Sequence, residues 1–454
     1  MADKYLRDPV HGSISFDKTR EKLILDLLNT REFQRLRRIR QLGALFLTFH
    51  GAEHTRFTHS VGAAFMAKRI FDALRASGQI PQRGRAAERG RLVAIAAALL
   101  HDIGHGPFSH LYEKVFNDRR HEEWTRMILR SPHTEAGRIL RAAGLAEPVL
   151  AVYARTYRPS FVSDIVSSQL DADRLDYLLR DSYMTGVAYG RYDLDWILTN
   201  LRLARRGPGR RGADLRLAIN GTKGYHAAEQ FVIGRYLMYQ QVYYHKTARS
   251  AEQMIRTILQ RLVDARDETG RFPDPCPGPI RRLIETRGDL PVEDYLRLDD
   301  WLFFAAFEEW SEAPAASVDP ILRDLCSRII NRRLFKTVRV AAEARHTAFG
   351  AALQELKTAF ARKRHDPRYY LLEDDATDLP YRDLAYADRM GTAPEDIGLA
   401  VGGRIVGYMS ERTVSPLIDS IRNESRKLQR LCFPESMRAE VERRLRPFIS
   451  RERQ

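Results

Sequence analysis

The sequence predicts a mainly α protein: a helical core followed by a mostly helical C-terminal lobe that carries a few short strands. Three observations support this. Apolar residues recur at helical spacing from Glu21 onward. The run RLVAIAAALLHD, 91–102, is apolar nearly all round, as a central helix is. Strand-like segments are confined to about 194–218 and to the tail. With 454 residues, 44% of them hydrophobic, the chain can bury a sizeable core. The expected division is a catalytic core over 1–260 and a lobe over 261–454, the latter a candidate oligomerisation or regulatory region.

The elements follow in order. The first 20 residues read as irregular, with turn signals at DPVHG. TREFQRLRRIRQLG sets Phe33, Leu36 and Ile39 on one helical face and stops at Gly43. THSVGAAFMAKRIFDALRASG reads as an amphipathic helix from Thr58 to Gly78, and QRGRAAERG as a basic linker before the central helix. SDIVSSQLDADRLDYLLRDSYMTG is expected as one helix closed at Gly186. Residues 194–218 read as short strands around ARRGPGRRGADL. The segment from Tyr225 to Ala265 reads as one long helix with an internal Gly234. FPDPCPGP marks a loop, helices continue to about 364, RYYLLED, DIGLAV and RIVGYM read as strands, and helices close the chain over 415–450.

Composition narrows the functional classes. Three cysteines far apart exclude a disulfide framework and a cysteine zinc site, which suits a reducing cytoplasm. No apolar run is long enough to span a membrane, and the N-terminus lacks a secretory h-region. The formal net charge of +15 favours phosphate-bearing partners, although free use of arginine accounts for it equally well.

HDIGHGPFSH, 101–110, concentrates His101, Asp102, His105 and His110 at the end of the apolar helix, in a chain with only 13 histidines. Adjacent histidine and aspartate can share one divalent metal, but a catalytic site needs about three or four protein ligands. His59, at the start of the preceding helix, and Asp173, in LDADRLDYLLRD, are the candidates for the rest. Asp173, Tyr177 and Asp181 recur at i, i+4 and i+8 and so share a face, where buried carboxylates need a partner or a metal.

Together DPVHGSI, EFQRLRRIRQLG, GAEHTRFTHSVG, HDIGHGPFSH, RHEEW, DADRLDYLLRDS and VYYHK make the chain resemble the HD-domain metal phosphohydrolases. Within them it resembles the deoxynucleoside triphosphate triphosphohydrolases, over roughly residues 5–255. The resemblance implies one divalent metal (Mn, Fe, Mg, Co or Zn) on His59, His101, Asp102 and Asp173. The implied reaction hydrolyses a dNTP to deoxynucleoside and triphosphate. Activated water attacks the α-phosphorus, and the 5′ oxygen leaves with a proton from His110. Glu113 and His121 orient that acid, and His105 faces the α-phosphate or the water. Arg56, Arg174 and Arg235 are implied on phosphate, with Lys246 one turn beyond Tyr243. Tyr243, Tyr177, Asp181 and Gln41 are implied at the sugar or base, with Leu42 packed beneath.

The match departs where vertebrate relatives read an activating guanine nucleotide: Asn29, Tyr5 and Arg7 replace the residues expected there, while Gln34 and Arg37 persist. Guanine-specific activation is therefore not expected. Constitutive activity, another activator nucleotide, and monomeric or oligomeric forms stay open. The arginine-rich ARRGPGRRGADLR is a candidate weak nucleic-acid contact or a solvated hairpin. Two rival readings remain: a phosphodiesterase or nuclease of the same superfamily, and a catalytically weak nucleotide- or nucleic-acid-binding protein.

Overall fold

A computed structural model describes residues 3–116, 119–206, 214–341, 347–376, 396–410, 418 and 428–450. The protein is mainly α, as the sequence predicts, and its helices gather around two apolar cores. The first core lies around the Arg56–Ala76 and Gly84–Leu100 helices. The latter has no exposed face over Val93–Leu100, which explains its all-round apolar sequence. The Ala172–Thr185 helix packs against Arg56–Ala76 and ends on Gly186 in the left-handed conformation. The second core is built mainly from Lys246–Thr269, Asp300–Glu312, Pro320–Ile330 and Arg438–Leu445.

Several expectations need correction. The first 20 residues are not irregular: Lys4–Asp8 pairs antiparallel with Gly12–Phe16, and the DPVHG signals form the turn between them. TREFQRLRRIRQLG makes only a short α-helix, Arg31–Gln34, and a 3-10 turn, Arg35–Arg38, because Arg40 pairs with Thr55 instead of continuing the helix. The basic linker ends early, since Gly84 already begins the central helix. SDIVSSQLDADRLDYLLRDSYMTG is two helices, Phe161–Val166 and Ala172–Thr185. Asp171 caps the second by accepting from Arg174 N, so the chain must break before it. The long helix is likewise divided: Tyr225–Met238 passes through a π turn at Tyr239–Tyr243 and restarts at Lys246, with His245 as cap. Leu194–Asn200 is a helix, not a strand. Of RYYLLED, Pro367–Tyr370 is helical and Leu372–Ala376 is the strand.

The expected hairpin exists as Leu201–Arg206 against Leu215–Asn220; its 207–213 tip lies outside the described residues. The tail strands Gly398–Val401 and Arg404–Tyr408 return to this hairpin and close a four-stranded barrel. Leu428–Phe433 is a strand where a helix was expected. It is the centre of a three-stranded sheet with Lys336–Arg339 and Leu372–Ala376. Among the described residues no helix is long and apolar enough to cross a membrane.

Candidate active site

The Arg56–Ala76 helix brings in His59, the end of Gly84–Leu100 brings His101 and Asp102, and the first turn of Ala172–Thr185 brings Asp173. Their donor atoms converge. His59 Nε2 stands 3.3 Å from His101 Nε2 and 3.1 Å from Asp173 Oδ1. His101 Nε2 is 3.3 Å from Asp102 Oδ1 and 3.6 Å from Asp173 Oδ1. Asp102 Oδ2 is 3.9 Å from His59 Nε2.

The opposite ring nitrogens are tied down. His59 Nδ1 donates to Asp176 Oδ2 at 2.9 Å, and His101 Nδ1 to the Ala98 carbonyl at 2.8 Å. Both Nε2 lone pairs therefore face the centre in the tautomer that a metal needs. His59, His101 and Asp102 lie close enough together to hold a divalent ion, and Asp173 Oδ1 reaches both imidazoles from the next helix. Burial works against a charged His59, but its hydrogen bonds to Asp173 and Asp176 carry its pKa up to about 10.

Sequence reasoning missed the support beneath this set. Asp176 is fully buried and receives His11 Nε2 at 2.6 Å and two bonds from Arg180 at 2.8 Å; Arg180 also bonds Asp8 at 2.8 Å. Against the penalty of burial, Arg180 above all holds the Asp176 carboxyl well below its usual range. The turn DPVHG thus fixes His59 from outside. No sequence signal pairs Asp8 and His11, in the turn, with Asp176 and Arg180 more than 160 residues on.

A cavity of about 600 Å³ opens on Asp102 and Asp173. Its wall includes Arg56, Gln41, Leu42, Tyr177, Asp181 and Tyr243 among the expected substrate residues, and His105, Glu113 and His121 among the catalytic ones. Arg56 is already engaged: Nη1 bonds Asp102 at 2.5 Å, and Nε and Nη2 bond Ser109 Oγ at 3.2 and 2.7 Å. Asp181 joins His54 Nε2 at 2.8 Å to the Tyr243 hydroxyl at 2.7 Å. Burial, then the Asp181 charge, keeps that phenol well above its usual pKa and so protonated. Gln41 Oε1 is buried with no hydrogen-bond partner, an acceptor waiting for a donor.

Arg174, Arg235 and Lys246 are not in the cavity wall. Arg174 bonds Asp171 at 2.5 Å, Arg235 bonds Gln169 Oε1 at 2.8 Å, and Lys246 is exposed at the start of its helix. His110 opens the His110–Val115 helix, but its side chain lies outside the described residues.

His105 and His121 stack with ring centroids 3.8 Å apart and planes 16° from parallel. His121 Nδ1 meets Glu113 Oε1 at 2.9 Å, and His105 Nε2 meets Asp102 Oδ1 at 3.3 Å. These three side chains are close enough to hold a metal. The parallel stack argues against it, because an ion shared by both rings would lie well out of each ring plane, away from the lone pairs. The trio suits proton handling instead. Burial first, then Arg56 and His121, hold the His105 pKa well below its usual value, so the ring is neutral.

Comparison with known proteins agrees with this geometry. Residues 56–181 match the HD domain family, and residues 212–271 match the HD associated region. The chain is 38% identical over 437 residues to the uncharacterized protein YwfO of Bacillus subtilis, covering 96% of this chain and 93% of that one. It is 26% identical over 377 residues to the human deoxynucleoside triphosphate triphosphohydrolase SAMHD1, covering 74% of this chain and 55% of that protein. In structure it is similar to a phosphohydrolase from Bacteroides thetaiotaomicron, with a TM-score of 0.77 at 28% identity; 96% of this chain and all of that one are covered.

Proposed function

The chain belongs to the HD-domain phosphohydrolases, and from that premise we propose that it is a metal-dependent deoxynucleoside triphosphate triphosphohydrolase: dNTP and water give deoxynucleoside and inorganic triphosphate. The observation that carries this reading is the convergence of His59, His101, Asp102 and Asp173 on one edge of a cavity that also contains Gln41, Tyr177, Asp181 and Tyr243. A divalent ion held there supplies Lewis acidity and lowers the pKa of water within its reach. The unpartnered Gln41 Oε1 and the Asp181 carboxylate are acceptors for a 3′-hydroxyl, and the Tyr177 ring closes the 2′ side against ribose. Leu42 packs beneath the sugar. Arg56, anchored between Asp102 and Ser109, offers its charge to the α-phosphate without having to be ordered at the moment of reaction.

His110 protonates the departing 5′ oxygen. His105, His121 and Glu113 form the stacked relay that orients it and takes up the proton released by the attacking water. Arg174 and Arg235 reach phosphate by exchanging their present bonds to Asp171 and Gln169, and Lys246 adds positive charge at the rim. Residues 1–260 form the catalytic unit in this reading and 261–454 the accessory lobe. The enzyme works on the soluble nucleotide pool of the cytoplasm, with an activator nucleotide, oligomerisation and weak nucleic-acid contact as open additions.

The test is a chromatographic product assay with metal-loaded protein, the four dNTPs, the four NTPs and single-stranded DNA. The expected result is deoxynucleoside plus triphosphate from at least one dNTP, little from NTPs, and no product from Asp102→Ala. If all dNTPs stay intact, with and without added activator nucleotides, the proposal falls. If DNA is cut instead, the nuclease reading takes its place.

A further inference from the structure

A second cavity, of about 410 Å³, opens on the same cluster. Of the four proposed ligands, Asp102 and Asp173 line both cavities, His101 lines the second alone, and His59 lines neither. The Asp173 side chain is 33% exposed and that of His101 15%, whereas His59 is fully buried. The rest of the second wall is its own. It includes Glu123 and Arg126 on the His121–Arg130 helix and Ser167 just past the Phe161–Val166 helix. Gln41, Tyr177, Asp181 and Tyr243, proposed above at the sugar, all lie in the first cavity and not in the second.

Size and charge suit a hydrated cation better than a phosphate tail. A divalent ion with six waters needs about 180 Å³, at about 30 Å³ per water. The wall carries both signs, Glu122 and Glu123 against Arg120 and Arg126, and Arg120 is paired with Glu122 at 3.0 Å. It therefore concentrates no positive charge for a triphosphate. Its inner side is held in place from the ligand helix. The Thr125 hydroxyl donates to the His101 carbonyl at 3.2 Å, and the Tyr153 hydroxyl to the Ala97 carbonyl at 2.8 Å. Glu123 and Ser167 are exposed and mark the rim.

We infer that this cavity is the passage by which the divalent ion reaches and leaves the cluster, with Glu123 and Ser167 at its mouth. The first cavity is thereby left to the nucleotide. The inference rests on the metal reading of the cluster, whatever the substrate.

Rates and equilibrium separate a passage from a structural support. A plug in the passage raises one barrier for both directions, so it slows loading and release alike and leaves Kd unchanged. Ser167→Trp and Glu123→Trp place that plug from two elements, at exposed positions that are not ligands. Lys114→Trp does the same at an exposed position of the first cavity. Zn²⁺-loaded protein is mixed with a chromogenic chelator, at concentrations where the release rate no longer depends on it. Kd is measured by competition. Release is expected to slow by about fivefold or more in at least one of the two plugs of the second cavity, with Kd within about twofold of wild type. Lys114→Trp is expected to release at the wild-type rate. Smaller slowing by both plugs, a Kd that changes in step with the rate, or slowing by Lys114→Trp alone overturns the inference and leaves the metal reading standing. A wild type that binds no Zn²⁺ removes that reading, and this inference with it.

Discussion

At the scale of single residues, the proposed metal site depends on a side chain outside the ligand set. His59 can present Nε2 inward only because Asp176 accepts from Nδ1, and Asp176 can stay ionised at 0% exposure only because Arg180 and His11 donate to it. Asp176→Asn keeps the size but offers one acceptor oxygen in place of two and removes the charge that polarises the imidazole. Metal affinity, measured by competition with a calibrated chelator, is expected to fall about 10–100-fold, with the four ligands intact. Unchanged affinity would mean that the ligand set orients itself. The residues proposed to hold the metal could be picked from the sequence, since His59, His101, Asp102 and Asp173 stand in spaced motifs on helices whose periodicity is plain, and the structure brings them together. Asp176 could not, because one helical turn tells which residues share a face and not which loop will close over them. Nor could the sequence show that Arg56, in the cavity wall, is anchored by Asp102 and Ser109.

At the scale of elements, the crossing of Arg56–Ala76 over Ala172–Thr185 sets the distance between His59 and Asp173, and Gly62 sets the crossing. A Cβ at Gly62 would stand 1.9 Å from Asp176 Oδ1 and 2.4 Å from Arg180 Nη2, closer than any packing allows. Gly62→Ala is expected to destabilise the fold by about 1–3 kcal/mol and to weaken metal binding together with it, because Asp176 is the group displaced. Gly78→Ala is the control: its φ of +71° strains an alanine, but nothing lies within 4 Å of the added carbon. Its melting temperature should fall while metal affinity holds. If both variants weaken the metal equally, the crossing is not what matters. Helix existence could be read from the sequence far better than helix ends. The apolar periodicity of 225–265 continues across the π turn and the restart at Lys246, because burial repeats on both sides while the backbone breaks between. Local pattern also could not foresee that strands 398–408 return to a hairpin nearly 200 residues earlier, since strand pairing at that separation is decided by the tertiary fold.

At the scale of the whole molecule, residues next to the second core hold the loop between His101 and His110 in place. Arg35, almost fully buried, donates to the carbonyls of Leu298 and His105, both at 2.9 Å. Asp299 pairs with Arg38 at 2.6 Å. Asp300 accepts the backbone N–H of Arg40 and of Phe108, each at 2.8 Å, next to Phe108 and Ser109, whose φ of 55° is rare outside glycine. Burial pushes the Asp300 pKa from 3.8 up to about 6, and the two backbone donors only partly oppose the shift. Because the native carboxyl binds its proton more tightly than the unfolded one, its contribution to stability is greatest below about pH 4. It falls as pH rises to 6 and is level above that. The full change is roughly 3 kcal/mol. Asp300→Asn does not titrate, so in urea unfolding at pH 4, 5, 6 and 7 the wild type should lose roughly that amount relative to the variant between pH 4 and 6. Some constant cost to the variant is expected as well, since its amide cannot accept both backbone donors. A wild type that gained on the variant over the same interval would mean that Asp300 is stabilised as the anion, and that the joint between the cores is electrostatic and not a matter of burial.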